Sequence, residues 1–384
     1  MSTPVDIAAT LRSSNRVEGL THTYYRYPAR FNPEFVRAAI STWSAPGDCM
    51  LDPFMGGGTS IVEALVLGRV AVGVDVNPVA CVITRAKTTP LSPADKEALV
   101  SWSRDRQLLS ALSRVELLPD RRLRNVPPIV WRAVLPMVLS LERLRFRRRK
   151  DFARCAVLRV AQWALESRHV SDDPDTIWNK LGSLVEIMVE DNDGLIASGS
   201  TFAVSKRQMV NRRFLYQGDV VAACNDESFF SRFGRPKLVL TSPPYPGVHV
   251  LYHRLQVGGR RETPLPFWIA GVEDGHGPAH YTMGGRTASG LRSYYSRITG
   301  AYVAMKRLMD PRGVVVQLVG FSDPESQLSM YLNAMESAGF VEIGQSHGDQ
   351  GSRLVRNVPN RKWYTQAGVS DYESQETLLI HRPA

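Results

Sequence analysis

The tetrapeptide Ser242-Pro243-Pro244-Tyr245 combines residue types that can position a reacting group. It follows the apolar run KLVL, which predicts a short buried strand. The prolines have a nearly fixed φ and no backbone N–H, so the strand should end in a stiff corner. This corner would present the Ser242 hydroxyl and a prolyl carbonyl as hydrogen-bond acceptors, beside the flat face of Tyr245. In open α/β sheets, ligands bind at the carboxyl ends of strands, which predicts a binding corner here.

A glycine-rich segment, DPFMGGGTS, begins at Asp52 between a predicted strand and a predicted helix. Gly56 and Gly58 allow a tight turn and close approach of a ligand, and the helix that follows offers unpaired N–H groups. The spacing fits neither GxGxxG nor a P-loop. Asp75 ends the next predicted strand, where a carboxylate can accept both hydroxyls of a ribose. These residues predict an adenosine-type ligand, and a plain βα turn is the alternative.

The elements around these motifs predict an α/β fold with a mostly parallel sheet. A strand, glycine loop, helix, strand and helix follow one another up to about residue 87, which is typical of parallel strands. The α/β rhythm returns at FLYQGDVV and KLVLTSPPY, after a stretch with helical spacing. Two late segments, FVEIGQSH and ETLLIHRP, predict an antiparallel hairpin that closes the sheet.

The charge balance favours an anionic partner. The 384 residues carry a net charge of +10, and residues 101–160 alone hold fifteen Arg and Lys against five Asp and Glu. Such an excess favours nucleic acid, with a solvated Arg-rich helix as the alternative. The four cysteines are scattered without a CxxC pair, so no metal site is predicted and a reducing cytoplasm is expected. No apolar run reaches the length that spans a bilayer, and no membrane partner is expected.

Taken together, the motifs resemble those of DNA amino-methyltransferases that use S-adenosylmethionine. LDPFMGGGTS resembles their cofactor loop, TSPPY their catalytic tetrapeptide, and HTYYRYPARFNPEFVRAAI the segment that precedes the cofactor loop. The resemblance covers residues 22–90 and 214–320. It implies a Rossmann-like methyltransferase fold with an antiparallel terminal strand and a helical insertion.

The resemblance also implies roles for individual residues. Ser242, Pro243, Pro244 and Tyr245 would be catalytic. The residues that it places at the cofactor are Tyr27, Pro28, Phe31, Asp52, Pro53, Phe54, Gly56, Gly58, Thr59, Asp75, Asn77 and Asp219. Residues 1–96 would form the cofactor-binding half, residues 97–205 a basic helical insertion, and residues 206–384 the catalytic half with a loop insertion at 246–289. Either insertion is a candidate for target recognition.

The expected reaction is methylation of an exocyclic base amine in double-stranded DNA. Ser242 and the Pro243 carbonyl would accept its two hydrogens, and stacking on Tyr245 would contribute about 1–3 kcal/mol. Serine at the first position goes more often with cytosine N4 in this family, so cytosine N4 is preferred to adenine N6. An RNA guanine-N2 methyltransferase and a non-catalytic nucleic-acid-binding subunit are alternatives. Restriction or defence components are candidate partners.

Arginines in two segments are candidates for contacts with DNA phosphates. They are Arg145, Arg147, Arg148 and Arg149 in the helical insertion, and Arg260 and Arg261 in the loop. Phosphate contacts set the position of a protein on DNA but do not read its sequence.

Overall fold

The structure is a computed structural model that describes residues 6–13, 15, 17–25, 31–115, 120–166, 173–246, 254–258, 261–275, 278–285, 287–344, 353–365 and 368–384. Within these residues, the main sheet has eight strands in the order β3-β2-β1-β4-β7-β10-β8, with β9 paired to β10. The bounds of its strands are β1 Cys49–Asp52, β2 Val70–Asp75, β3 Arg213–Gln217, β4 Pro236–Thr241, β7 Val314–Gly320, β8 Phe340–Glu342, β9 Val355–Thr365 and β10 Gly368–Pro383. A separate small hairpin consists of β5 Leu255–Val257 and β6 Arg261–Thr263.

The α-helices begin at the signals that the sequence contains. Several start at a proline behind an Asn, Ser or Asp cap, as α4 does behind Asn77, because a proline at the first helical position needs no N–H partner. Their bounds are α1 Ile7–Arg12, α2 Pro33–Trp43, α3 Thr59–Val66, α4 Pro78–Lys87, α5 Pro93–Arg104, α6 Arg106–Leu112, α7 Pro128–Ser140, α8 Arg147–Glu166, α9 Pro174–Thr201, α10 Lys206–Asn211, α11 Val220–Asn225, α12 Glu227–Phe230, α13 Leu265–Ala270, α14 Ala288–Leu308 and α15 Pro324–Ser337. No helix in the described ranges is long and apolar enough to cross a membrane.

The predicted α/β fold is confirmed. Strands β3, β2, β1, β4 and β7 are parallel to one another, whereas β10 runs antiparallel to β7. The parallel strands bring the ends of β1, β2 and β4 to one edge of the sheet. Asp52, Asp75 and Ser242, which end or follow these strands, therefore lie at the same edge.

The end of the chain differs in part from the predicted hairpin. β8 and β10 do pair in antiparallel fashion, but β10 also pairs with β7 and so lies between the two. The partner that joins β10 in a hairpin is β9, a strand that the sequence analysis did not predict. This arrangement places the start of β9 and the middle of β10 next to the end of β7.

The two insertions pack against each other. One hydrophobic cluster contains Phe152 of α8 and Trp178 of α9 together with Leu255 and Phe267 from the loop insertion. The Asn125 amide also donates to the Glu262 carbonyl at 2.9 Å. The helical and loop insertions, which the sequence offered as separate candidates for target recognition, therefore share one core.

Candidate active site

The loop between β1 and α3 turns at glycines. Gly56 and Gly58 have φ values of 46° and 72°, in the left-handed region that glycine adopts without strain. A Cβ on Gly58 would lie 2.4 Å from Thr84 Oγ1 on α4, so this glycine also allows α3 to begin close to α4. Gly56 and Gly57 line a cavity at the carboxyl edge of the sheet. Gly58 is not among the residues that line it.

Asp75, at the end of β2, faces this cavity and holds the glycine loop. Its two carboxylate oxygens accept the backbone N–H groups of Gly56 and Asn77, each at 2.8 Å. Burial raises the pKa of Asp75 to about 6, against these two hydrogen bonds, which lower it. Each oxygen keeps a further acceptor site. At neutral pH, Asp75 is therefore a charged acceptor on the cavity wall.

Asn77 offers a donor on the same wall. Its Oδ1 accepts from the Val79 N–H at 3.0 Å and so caps α4. Its Nδ2 is buried and has no hydrogen-bond partner within the described part of the protein. A buried donor without a partner costs about 1–3 kcal/mol, so a ligand acceptor that reached Nδ2 would be stabilising.

Asp52 connects the glycine loop to the proline corner. It is 2% exposed and accepts from Thr241 Oγ1 at 2.8 Å, from the Phe54 N–H at 3.1 Å and from Ser60 Oγ. Burial raises its pKa to about 6, although the bonds from Ser60 and Thr241 lower it. The carboxylate thus joins β1, α3 and β4, and it fixes the residue that precedes Ser242.

The proline corner itself lines the cavity with all four predicted residues, Ser242 to Tyr245. The Tyr294 hydroxyl donates to the Pro244 carbonyl at 2.8 Å and so holds the corner from α14. The hydrogen bonds of the described residues include none to the Pro243 carbonyl. Pro243 therefore keeps the acceptor that the sequence analysis assigned to it.

Tyr245 is more deeply embedded than a simple stacking platform requires. It is 5% exposed, and its hydroxyl lies 3.2 Å from Ser242 Oγ and donates to Glu376 Oε1 on β10. Arg356 of β9 donates to the other oxygen of Glu376 at 2.6 Å. Neither Glu376 nor Arg356 was predicted from the sequence, because Glu376 lies 131 residues from Tyr245 and no local motif marks it.

The loop insertion and α14 also contribute to the lining of the cavity. Tyr281, Thr282 and Met283 line it together with His280 and Arg297, and the Arg297 guanidinium donates to the Thr282 carbonyl at 3.0 Å. The loop was predicted as a candidate for target recognition, but none of these residues was singled out. Their only sequence signal is their position after the tetrapeptide Ser242 to Tyr245.

Most of the predicted cofactor residues meet at this cavity. Those that line it are Phe31, Asp52, Pro53, Phe54, Gly56, Thr59, Asp75, Asn77 and Asp219. The Asp219 carboxylate also caps α11, accepting from the Val221 N–H at 2.8 Å. Tyr27 and Pro28 lie outside the described residues.

The arginines predicted to contact DNA have different surroundings. Arg148 and Arg149 donate to the two carboxylate oxygens of the buried Asp95 at 2.7 and 2.6 Å. Arg145, Arg147 and Arg148 are exposed, and Arg147 Nε also lies 3.7 Å from the buried carboxylate of Asp151. In the loop insertion, Arg261 is an exposed residue of β6, and Arg260 lies outside the described residues. Phosphate contacts by these side chains stay a prediction.

Fold and site together define a class of protein. The mostly parallel sheet closes with an antiparallel strand. At its carboxyl edge, a glycine loop, an acidic strand end and a proline corner share one cavity. This is a Rossmann-like methyltransferase fold.

Comparisons with known proteins show a similarity in the amino-terminal part of the chain. Residues 9–86 match the N6/N4 methyltransferase family, which is described as DNA methylase. The chain is 39% identical over 85 residues to the type II methyltransferase M.MvaI of Kocuria varians, a match that covers 21% of this chain and 19% of that protein. It is 32% identical over 82 residues to the type II methyltransferase M.MjaII of Methanocaldococcus jannaschii, covering 21% of this chain and 16% of that protein. Residues 9–86 are thus similar to a segment of this DNA methylase family, and the match spans about a fifth or less of these relatives' lengths.

Solved structures give weaker likenesses. TrmN from Thermus thermophilus has a TM-score of 0.35 and 10% identity, covering 92% of this chain and 49% of that one. The rRNA methyltransferase aviRa from Streptomyces viridochromogenes has a TM-score of 0.35 and 9% identity, covering 94% of this chain and 89% of that one. Scores this low do not bear on function.

The family implies S-adenosylmethionine as the cofactor, and the cavity fits this group. Asp75 supplies a charged acceptor for hydroxyls and Asn77 a buried donor that has no partner among the described residues. The two cavity-lining glycines, Gly56 and Gly57, bring backbone without side chains to the same wall.

Proposed function

We propose that this protein is a DNA methyltransferase that transfers a methyl group from S-adenosylmethionine to the exocyclic N4 of cytosine. The observation that carries the proposal is the convergence of two motifs on one cavity. The wall with Asp75 and Asn77 and the corner with Ser242 and Pro243 line the same space. Asp52 joins the two through its hydrogen bond to Thr241. A cofactor held on the first wall would therefore lie next to a base amine held at the corner.

The residues of this chain would act mainly by position. S-adenosylmethionine supplies an electrophilic methyl group on a sulfonium. At the corner, Ser242 Oγ and the Pro243 carbonyl would accept the two N–H groups of the amine. These bonds turn its lone pair out of conjugation with the ring and toward the methyl group. With the cofactor bound, the methyl group would pass to the nitrogen while its bonding electron pair stayed on sulfur, and the nitrogen would release one proton to water. Holding reactants in this way provides much of the acceleration in such reactions.

Cytosine N4 is proposed because Ser242 begins the catalytic tetrapeptide. In the family that the motifs resemble, serine at this position goes more often with cytosine N4 and aspartate with adenine N6. The curated relatives are type II methyltransferases, so we extend the proposal to a modification role beside restriction or defence components. We also propose that the protein acts on double-stranded DNA in the cytoplasm. The two insertions, which share one core, would together form the target-recognition region.

Product analysis tests the proposal. The purified protein is incubated with S-adenosylmethionine and unmethylated genomic DNA, and the digested nucleosides are examined by mass spectrometry. We expect N4-methylcytosine, and a rate at least about ten-fold lower for Ser242→Ala, since one transition-state hydrogen bond contributes about 2–4 kcal/mol in a dry site. N6-methyladenine would overturn the base assignment. Methylation of RNA without any of DNA would overturn the substrate assignment.

A further inference from the structure

A buried ion pair between β9 and β10 lies next to the end of β7, beside the corner formed by Ser242 to Tyr245. Glu376 of β10 faces Arg356 of β9 in register on one side and Gly320 of β7 on the other. Arg356 contacts Glu376 Oε2 with its Nε at 2.6 Å and with a terminal nitrogen at 2.5 Å. Glu376 is 2% exposed. Arg356 and Glu376 thus form an ion pair, and hydrogen bonds between charged groups of this kind are shorter and stronger than those between neutral groups.

Gly320 makes room for the corner to reach this pair. A Cβ at Gly320 would lie 2.8 Å from the ring of Tyr245. The absence of a side chain lets the tyrosine ring lie against the end of β7, and its hydroxyl then meets Glu376 Oε1. Each oxygen of Glu376 therefore serves a different partner, Tyr245 on one and Arg356 on the other.

Arg356, Glu376, Tyr245 and Ser242 form a series of hydrogen bonds, called the relay below, and the number of hydrogens that each group can donate determines the direction of each bond. An ionised carboxylate only accepts hydrogen bonds, and a tyrosine hydroxyl has one hydrogen to give. Tyr245 gives that hydrogen to Glu376, so the 3.2 Å contact between Ser242 and Tyr245 must be donated by Ser242. With its hydrogen directed to Tyr245, Ser242 Oγ can only accept from a group in the cavity.

We propose that Glu376 and Arg356 are positioning residues that act through Tyr245 to fix Ser242 as a hydrogen-bond acceptor for the target amine. Without this relay of hydrogen bonds, the Ser242 hydroxyl could rotate and donate into the cavity, where it would repel the N–H groups of the amine. The charge of Glu376 also polarises the chain, because successive hydrogen bonds strengthen one another. In this way a neutral serine obtains part of the accepting strength of a carboxylate. The inference rests on the proposed methylation reaction at this corner.

The test uses two substitutions that remove the relay at different points. Tyr245→Phe keeps the ring and its packing but removes the hydroxyl, and Glu376→Gln keeps the shape but removes the charge. For each we expect kcat for DNA methylation to fall about ten-fold or more, with little change in KM for S-adenosylmethionine. Because both act through Ser242, the double variant should be about as slow as the slower single variant.

Glu342→Gln is the matched control. Glu342 lies on β8, next to β10, and accepts two hydrogen bonds from Arg353 at 2.8 and 2.7 Å. This Arg–Glu pair belongs neither to the relay nor to the residues that line the cavity. It should leave kcat unchanged. If Glu376→Gln does not fold, Tyr245→Phe decides alone, since it removes only one oxygen.

The outcomes separate the inference from the function on which it rests. A wild-type protein that methylates DNA, with Tyr245→Phe at full kcat, overturns the relay and leaves the proposed function intact. Losses that multiply in the double variant also overturn it, because independent sites do not share one path. A wild-type protein without methyltransferase activity on DNA overturns the proposed function and the relay with it.

Discussion

Replacing Asp75 with alanine tests the cofactor wall directly. The substitution removes the carboxylate proposed to accept the ribose hydroxyls, and it leaves the Gly56 N–H without its acceptor at 2.8 Å. A hydrogen bond to a charged group contributes about 1.5–3 kcal/mol. The affinity for S-adenosylmethionine should therefore fall about 10- to 150-fold, as measured by titration calorimetry on the purified protein.

The same carboxylate predicts a pH dependence of cofactor binding. Since burial raises the pKa of Asp75 to about 6, roughly nine-tenths of these groups are protonated at pH 5 and only about one-hundredth at pH 8. A protonated carboxyl has lost the charge that strengthens the bonds from the ribose. Wild-type affinity should thus fall about ten-fold as the pH decreases from 8 to 5, and Asp75→Asn should remove this slope.

A partly exposed helix cap outside the cavity provides the control for this experiment. Asp226 caps α12 by accepting from the Phe229 N–H at 3.0 Å, and Asp226→Asn should change neither affinity nor slope. Circular dichroism would first establish that each variant is folded. A folded Asp75→Ala protein with wild-type affinity would refute the ribose role, as would an Asp75→Asn protein with the wild-type pH slope.

Two further predictions concern the framework of the site and the basic surface. Asp52→Ala leaves the buried Thr241 hydroxyl and other donors without an acceptor. The free energy of unfolding, measured by chemical denaturation, should therefore fall by about 2–4 kcal/mol. A change below about 0.5 kcal/mol would contradict a stabilising role for the hydrogen bonds to Asp52. Arg145→Ala combined with Arg147→Ala should flatten the salt dependence of DNA binding by about 0.9 log units per lost phosphate contact. Arg148→Ala should instead mainly lower the melting temperature, since Arg148 is paired with the buried carboxylate of Asp95. An unchanged salt slope would identify the exposed pair as a solvated face.

The sequence by itself determined the local structure of the site. Proline geometry predicts the corner after β4 wherever that strand lies. Glycine at residues 56 and 58 predicts a tight turn that can enter the left-handed region. Alternation of strand and helix predicts parallel strands, and parallel strands place their carboxyl ends at one edge. The position of Asp52, Asp75 and Ser242 at one edge therefore follows from properties that act within a few residues of each motif.

Only the tertiary structure decided which distant residues complete the site. Glu376 meets Tyr245 because β10 lies between β7 and β8 in a particular register, and a register is set by packing across strands rather than by any local motif. The bond from Thr241 to Asp52 likewise joins residues 189 positions apart. The tertiary structure also gives the two insertions a common core, because apolar faces that look independent in sequence are buried by packing against each other.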